Sequence, residues 1–185
     1  MTFWKLTLAA LALAGIATTT AQAAGHTPIV GGAPMFPEKN IIENAVNSAD
    51  HETLVAAVKA AGLVETLQGE GPFMVFAPTD DAFAMLPAGT VETLLKPENK
   101  DQLTAILLYH VVPVKALSDA IKTMVRNDNG NHPVKTVGGG VFNVRTEEGE
   151  IYIYDAAGGI AKVTIADVEQ SNGVIHVIDR VLLPG

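Results

Sequence analysis

The side chains that could carry out chemistry are few and widely spaced in this sequence. The five histidines are His26, His51, His110, His132 and His176. No two of them have the H-x-H or H-x-x-x-H spacing that would place two imidazoles on one metal ion. None of the three serines lies in the G-x-S-x-G arrangement of a hydrolase nucleophile, and the chain has no cysteine. We therefore predict a non-catalytic protein with neither a metal site nor a cofactor.

Two adjacent carboxylates, Asp80 and Asp81, follow Thr79 directly after a short apolar run. A threonine at the start of a helix caps it through its hydroxyl oxygen, and acidic residues in the first turn favour the positive end of the helix dipole. This explanation needs no ligand, so we predict that Thr79 and Asp80 are structural residues.

Polar residues also stand among apolar ones in three clusters, at residues 76–83, 109–113 and 172–179. Burial of Thr79, His110 or His176 without a hydrogen-bond partner would cost about 1–3 kcal/mol each, so each is expected to have a partner. His110 and His176 could also meet in space. Asn172-Gly173 favours a hairpin turn, because both residues tolerate positive φ.

The two halves of the chain have different hydrophobic patterns. Residues 40–124 are rich in Ala and Leu at helical spacing, whereas residues 134–183 are rich in Val and Ile that alternate with polar residues. Within the first half, residues 72–77 are a continuous apolar run that predicts a short buried strand. Helices followed by strands indicate an α+β fold.

Polar residues, glycine and proline mark the expected ends of the helices. Asp50 is predicted to cap a helix that ends at Gly62, and Ser118 is predicted to cap the last helix. Pro97 suits the first turn of another helix, because its missing N–H costs nothing there. The three polar clusters thus fall at joints between elements.

Length and charge limit the classes of function. The chain has 185 residues, 48% of them hydrophobic, which suits a single globular domain. Its formal net charge of −8 disfavours nucleic acid and anionic membrane surfaces, since both attract clustered Lys and Arg. We predict that neither is a partner.

The N-terminal residues have the pattern of a secretory signal. Lys5 precedes an apolar run at residues 6–17 that is too short to span a bilayer, and Ala21-Gln22-Ala23 fits the small-x-small pattern before a cleavage site. The alternative is an uncleaved membrane anchor. We predict a signal peptide at residues 1–23, an extended lead-in at 24–37 and a single domain at 38–185. The mature protein would be secreted or periplasmic, without a membrane-inserted segment.

In order and spacing, the three polar clusters resemble the first conserved block, the Tyr-His motif and the second conserved block of fasciclin domains. The resemblance covers residues 31–183, and Phe36-Pro37-Glu38-Lys39-Asn40-Ile41 resembles secreted single-domain bacterial members in particular. The family implies a wedge of mainly antiparallel strands flanked by several helices, in agreement with the α+β pattern.

The resemblance also implies a function in cell adhesion, through contacts with a protein, a cell surface or an extracellular matrix and without catalysis. In animal matrix members, an Asp-Ile pair before the second block and the Tyr-His region are tied to integrin binding. The matching residues here are Asp167-Val168 and Tyr109-His110, which are expected to form an exposed binding corner. The residues with an expected structural role are Thr79, Asp80, Asn172, Gly173 and His176.

Two other hypotheses remain open. The protein could be an envelope carrier of a small ligand, or an enzyme, that uses a pocket near His110 and His176. A closed interior without a polar-lined cavity of about 300 Å³ or more would count against that hypothesis. The protein could instead be a structural envelope component. We expect a monomer or a protein with weak self-association.

Overall fold

The computed structural model describes residues 27–185, so the predicted signal peptide at residues 1–23 lies outside the described part of the chain. The described chain contains nine strands, seven α-helices and one short 3₁₀ helix at Pro97–Asn99. The strands are β1 Ile29–Val30, β2 Ala33–Pro34, β3 Phe73–Pro78, β4 Val111–Val112, β5 His132–Lys135, β6 Val141–Glu147, β7 Glu150–Tyr154, β8 Ile160–Gln170 and β9 Gly173–Ile178. The α-helices are α1 Ile41–Ala45, α2 Glu52–Ala61, α3 Val64–Gln68, α4 Asp80–Ala84, α5 Thr90–Leu94, α6 Lys100–Tyr109 and α7 Ser118–Asn127.

Seven of the strands form one sheet, in the order β4-β3-β9-β8-β7-β6-β5. Every neighbouring pair in this sheet is antiparallel except β3 and β9, which run parallel. The long connection between β3 and β9, which contains α4 to α7, allows these two strands to run in the same direction. The sheet and its helices confirm the predicted α+β class.

Strand β3 is buried on both faces and separates two hydrophobic cores. Val75 and Ala77 face the core beneath α1 to α6, whereas Met74 and Phe76 face the core that α7 covers. Because side chains alternate between the faces of a sheet, a strand with two buried faces has a continuous apolar sequence. The apolar run at residues 72–77 therefore predicted this strand correctly.

One edge strand of the seven-stranded sheet is contacted by a turn, and the other contains a proline. The sheet curls so that the turn after β5 reaches β4, where the Val137 N–H donates to the Val111 carbonyl oxygen at 2.8 Å. In the same turn, a Cβ on Gly140 would lie 2.6 Å from the Tyr109 ring, so glycine is required for this approach. Strand β5 carries Pro133, which has no N–H to offer to an added strand.

The residues before α1 are part of the folded domain. Strands β1 and β2 form a hairpin that places Val30 and Met35 in the first core, where they are 3% and 2% exposed. Gly31 has a φ of 57°, and its carbonyl oxygen accepts from the Ala49 N–H at 3.1 Å. The described part of the predicted lead-in therefore packs against the rest of the fold through Val30 and Met35.

Candidate functional site

Thr79 and Asp80 join two helices. The Thr79 hydroxyl oxygen accepts from the Ala82 N–H at 3.2 Å, so Thr79 caps α4 as the sequence predicted. The Asp80 carboxylate accepts instead from the first two N–H groups of α2, at 3.2 and 2.8 Å. The prediction that Asp50 caps α2 is wrong, because the cap position is His51 and its side chain makes no capping hydrogen bond.

Asp167 holds the start of α7. It lies at an irregularity of β8 between Ile165 and Val168, and its φ of 60° is in the left-handed region. Its carboxylate accepts from the Ser118 N–H at 2.6 Å and from the Ser118 hydroxyl at 2.5 Å. A carboxylate is favourable there because of the helix dipole. Ser118 is thus the first residue of α7 rather than its cap, and the cap position is Leu117.

Tyr109 is a buried residue whose hydroxyl connects the end of α6 to β6 and to the loop after β7. Its side chain lies in the second core, and only 1% of the residue is exposed. The hydroxyl donates to the Val141 carbonyl oxygen at 2.9 Å and accepts from the Ala156 N–H at 3.1 Å. Burial raises the pKa of Tyr109, so the phenol stays protonated at neutral pH.

His110 ends α6 and holds the C-terminal residues against the fold. Its Nδ1 lies 2.8 Å from the Ile106 carbonyl oxygen, which can only accept, so Nδ1 carries the proton. Nε2 is then the acceptor for the Leu182 N–H, at 2.9 Å. Burial lowers the pKa of His110 to about 4, although the bond to Ile106 and the charge of Asp155 partly oppose this effect. The ring is therefore neutral in the folded protein at pH 7.

His176 joins β9 to the segment before α7. Its Nε2 lies 3.0 Å from the Ala116 carbonyl oxygen, to which it donates, and its Nδ1 accepts from the Asp167 N–H at 3.3 Å. The ring stacks on Phe76 with 5.6 Å between centroids. Burial lowers the pKa of His176, while the Ala116 carbonyl and the Asp167 charge favour the protonated form. This ring is also neutral at pH 7.

Asn172 connects three elements through its side-chain amide. The Oδ1 atom accepts from the Ile41 N–H at 3.1 Å, which ties the turn to the start of α1. The Nδ2 atom donates to the Leu67 and Gly69 carbonyl oxygens at 2.8 and 2.9 Å, at the end of α3. The expected structural role of Asn172 agrees with these contacts.

The hairpin between β8 and β9 differs in detail from the predicted turn. Gln170 pairs with Gly173, so the two loop residues are Ser171 and Asn172, and neither Asn172 nor Gly173 has a positive φ. Glycine is needed at position 173 for a different reason. A Cβ there would lie 2.1 Å from the Phe73 carbonyl oxygen of the parallel neighbour β3.

His51 is a buried polar residue that the sequence did not indicate, because it lies between two acidic residues. It is 3% exposed, and its Nδ1 lies 2.9 Å from the Ser48 hydroxyl. Its Nε2 has no hydrogen-bond partner of normal geometry among the described residues, although the nearby Ala77 carbonyl favours the protonated ring. Burial is the larger effect and lowers the pKa of His51.

We call Tyr109, His110, Asp167, Val168 and His176 the motif corner. The expectation of an exposed binding corner needs correction, because Tyr109, His110 and Val168 are 1%, 2% and 0% exposed. Only Asp167 is partly exposed, and both of its carboxylate oxygens accept hydrogen bonds from Ser118. Thr79, His110 and His176 all have hydrogen-bond partners, as predicted.

Two small apolar cavities lie in the interior near these histidines. Two cavities of about 40 and 30 Å³ lie between the sheet and helices α1 and α2. His110 lines the first and His51 the second, whereas His176 lines neither. Both are far below the size of about 300 Å³ that small-molecule sites usually have. Among residues 27–185, no group of three His, Cys, Asp or Glu side chains is arranged to hold a metal ion.

Comparisons with known proteins identify the family. The Fasciclin domain model matches residues 49–184, and the chain therefore belongs to the fasciclin domain family. A protein of Synechocystis sp., Protein sll1483, is 44% identical over 182 residues, which cover 98% of this chain and 94% of that protein. Transforming growth factor-beta-induced protein ig-h3 of Sus scrofa is 37% identical over 131 residues, which cover 71% of this chain but 17% of that protein.

A solved structure shows the same fold. The FAS1 domain pair from the insect cell adhesion molecule fasciclin I superposes with a TM-score of 0.71, over 80% of this chain and 51% of that one, at 19% identity. The family thus includes a cell adhesion protein. In residues 27–185, none of the helices combines the length and hydrophobicity that a transmembrane span requires.

Proposed function

We propose that this protein is an exported, non-catalytic adhesion protein that binds a protein, cell-surface or matrix partner through the surface of its single domain. The observation that carries the proposal is that the polar residues of the family motifs bind one another and the backbone, and that none of them lines a cavity large enough for a small molecule. Such residues shape a rigid scaffold, and a scaffold of this kind suits binding by surface contact. The similarity to a domain pair from an insect cell adhesion molecule supports the same function.

Export is the first part of this proposal to test. The full chain would be expressed with its own N-terminus, and the mature protein would be isolated from the periplasm or the medium. We expect the mature protein to begin at Ala24. Since Trp4 is the single tryptophan, the mature protein should show tyrosine fluorescence without tryptophan emission. Tryptophan emission from the exported protein would contradict cleavage.

Adhesion is the second part. The purified mature protein, coupled to beads, should retain whole cells or envelope fragments from its native surroundings, and soluble protein should compete. Beads that carry heat-unfolded protein are the control. Equal retention by both kinds of bead would overturn the proposed function. Light scattering over a range of concentrations would show whether the protein is a monomer or associates weakly.

Asp167 is the one predicted contact residue with exposed atoms, and we retain it as a proposed part of the adhesive surface. Glu169 is an exposed residue two positions after Asp167 in the chain. It forms an ion pair at 2.6 Å with Lys115, which is also exposed. Substitution of Glu169 by Lys would reverse the charge beside Asp167 without touching the bonds to Ser118. If this variant adheres as well as the wild type, the motif corner is not part of the binding surface.

A further inference from the structure

The outward face of strands β6, β7 and β8 is uncovered by any described element. On the inward face, Phe142, Val144, Ile151 and Ile153 pack in the second core. The alternate residues point to solvent, and they include two of the three tyrosines of the chain. We call this surface the tyrosine face and define it as Asn143, Arg145, Tyr152, Tyr154, Ile160 and Lys162.

The register of the strands arranges these six residues in two adjacent rows. Arg145, Tyr152 and Lys162 lie opposite one another in the first row. Asn143, Tyr154 and Ile160 form the second row. Neighbouring strands are about 5 Å apart, and residues two positions apart on a strand are separated by about 7 Å. Aromatic rings and cationic side chains therefore alternate over a continuous surface.

Arg145 is held in place on this surface. Its guanidinium lies over the Tyr154 ring, 4.4 Å from the centroid, and its Nε donates to the Asn131 Oδ1 at 2.9 Å. Asn131 in turn donates to the Asn143 Oδ1 at 3.1 Å. The two terminal nitrogens of Arg145 make no hydrogen bond of normal geometry among the described residues, although the nearby Tyr154 hydroxyl interacts with the guanidinium. A fixed guanidinium with two free nitrogens is the geometry that binds a carboxylate with two parallel hydrogen bonds.

Positive and negative side chains are segregated on this surface. The formal net charge of the protein is −8, but the two rows contain Arg145 and Lys162 and no carboxylate. The acidic residues Glu147 and Glu150 occupy the next row, at the hairpin end. Glu147 accepts from the Tyr154 hydroxyl at 2.7 Å, and this bond raises the pKa of Tyr154. The Glu150 carboxylate also lies 3.9 Å from the Lys162 ammonium. An exposed pair of this kind is weak, so the side of the face that carries Arg145 and Lys162 would still orient an anionic partner away from the acidic row.

We propose that the tyrosine face binds a polysaccharide that carries carboxylate groups, such as a polymer of uronic acids. Arg145 and Lys162 would pair with carboxylates of the polymer, while Tyr152 and Ile160 would pack against the apolar C–H faces of the sugar rings. This inference rests on the proposed function and names the partner and the surface of that adhesion.

The test compares Arg145→Gln with Arg126→Gln in the mature protein made from the full chain. Arg126 is an exposed arginine of α7, so both variants lose one positive charge, but only one of them changes the tyrosine face. Dissociation constants would be measured by calorimetry for polygalacturonate, alginate and hyaluronate, with dextran and methyl-esterified polygalacturonate as probes without free carboxylates. Thermal unfolding would show that each variant is folded.

We expect at least one of the three acidic polymers to bind, and neither uncharged probe to do so. Arg145→Gln should weaken that binding by about tenfold or more, because a bidentate charged contact is lost, while Arg126→Gln should change it by less than about twofold. Tyr152→Ser should also weaken binding, at unchanged charge. Absence of binding to all three polymers, or equal effects of the two arginine variants, would overturn the proposal.

The adhesion assay separates this inference from the proposed function. If the wild-type protein retains cells but binds no acidic polymer, the polysaccharide inference fails and adhesion stands. If it binds the polymers but retains no cells or envelope fragments, the adhesion proposal fails while the surface assignment stands. If Arg145→Gln abolishes retention, and protease treatment of the cells abolishes it as well, the partner is an acidic protein and the inference is wrong.

Discussion

The motif corner and the tyrosine face contain similar kinds of side chains, but they differ in burial and in hydrogen bonding. In the motif corner, tyrosine, histidine and aspartate side chains are largely buried and their polar atoms are paired within the protein. On the tyrosine face, tyrosine, arginine and lysine are open to solvent, and part of their hydrogen-bonding capacity is free. The contrast shows that motif residues can act within the fold, and it agrees with the proposal that recognition depends on residues outside the motif. The following predictions test that division.

The largest expected effect is the loss of the His110 ring. His110→Ala would leave the Leu182 N–H without its acceptor and create a cavity, so we expect a loss of about 3–4 kcal/mol in the free energy of unfolding. His132→Ala is the matched control, because His132 is at the surface beside Asp128 and should contribute less than about 0.5 kcal/mol. Urea denaturation would measure both. A similar loss in the two variants would contradict the structural role of the motif corner.

The pH dependence of stability should follow from the same histidine. Because the pKa of His110 is about 4 in the folded protein and about 6.5 in the unfolded chain, the unfolded state takes up the proton first as the pH falls. The stability from this group is full above pH 6.5 and declines towards pH 4, by about 3 kcal/mol in total. His51 and His176 change stability in the same direction, since burial lowers the pKa of each.

Urea denaturation at several pH values from 7 to 4 would measure this decline. His110→Gln should flatten the curve. A wild-type stability that stays constant over this range would show that these rings take up protons in the folded state without disturbing it.

Asp167 should have an intermediate effect on stability. Asp167→Ala removes the acceptors for both Ser118 bonds and places alanine at a left-handed φ, so we expect a loss of about 2 kcal/mol. Asp167→Asn keeps one acceptor and tolerates that backbone conformation, so it should lose about half as much. Chemical denaturation would rank the two variants. If Asp167→Ala were neutral, Asp167 would be free for a partner after all.

The smallest expected effect on stability belongs to the tyrosine face. Arg145→Gln should change the free energy of unfolding by less than about 0.5 kcal/mol, because Arg145 is exposed and its contacts are local. The same substitution is expected to impair binding, so stability and recognition should separate at this residue. A large loss of stability would mean that Arg145 has a structural role, and the distinction between a structural motif corner and a binding tyrosine face would then fail at this residue.

Local features of the fold could be predicted from the sequence because they depend on neighbouring residues. Thr79 caps the helix that directly follows it, Gly62 ends α2 with a φ of 73°, and the apolar run at 72–77 forms β3. Long-range features could not be predicted in this way. Asp80 and Asp167 accept hydrogen bonds from the starts of helices that are distant in sequence. The sequence alone does not show whether an acidic residue caps the helix beside it or a distant one.

The candidate site shows the same limit. The resemblance pointed to Tyr109 and His110 as contact residues, but it could not show that they are almost completely buried. The tyrosine face did have a sequence signal, since Asn143 and Arg145 alternate with the apolar Phe142 and Val144. Alternation indicates which residues face solvent, but the pairing of three strands is needed to bring the tyrosines beside Arg145.

The two edge strands of the sheet have a consequence for crowded surfaces. The Val111 carbonyl of β4 already accepts a hydrogen bond from the Val137 N–H, and Pro133 offers no N–H on β5, so neither edge presents an uninterrupted row of N–H and C=O groups to a neighbouring copy. An adhesive protein is concentrated wherever its partner is dense, and exposed strand edges would then promote stacking into fibres. This fold can be packed closely on a coated surface while each copy remains a separate, folded unit.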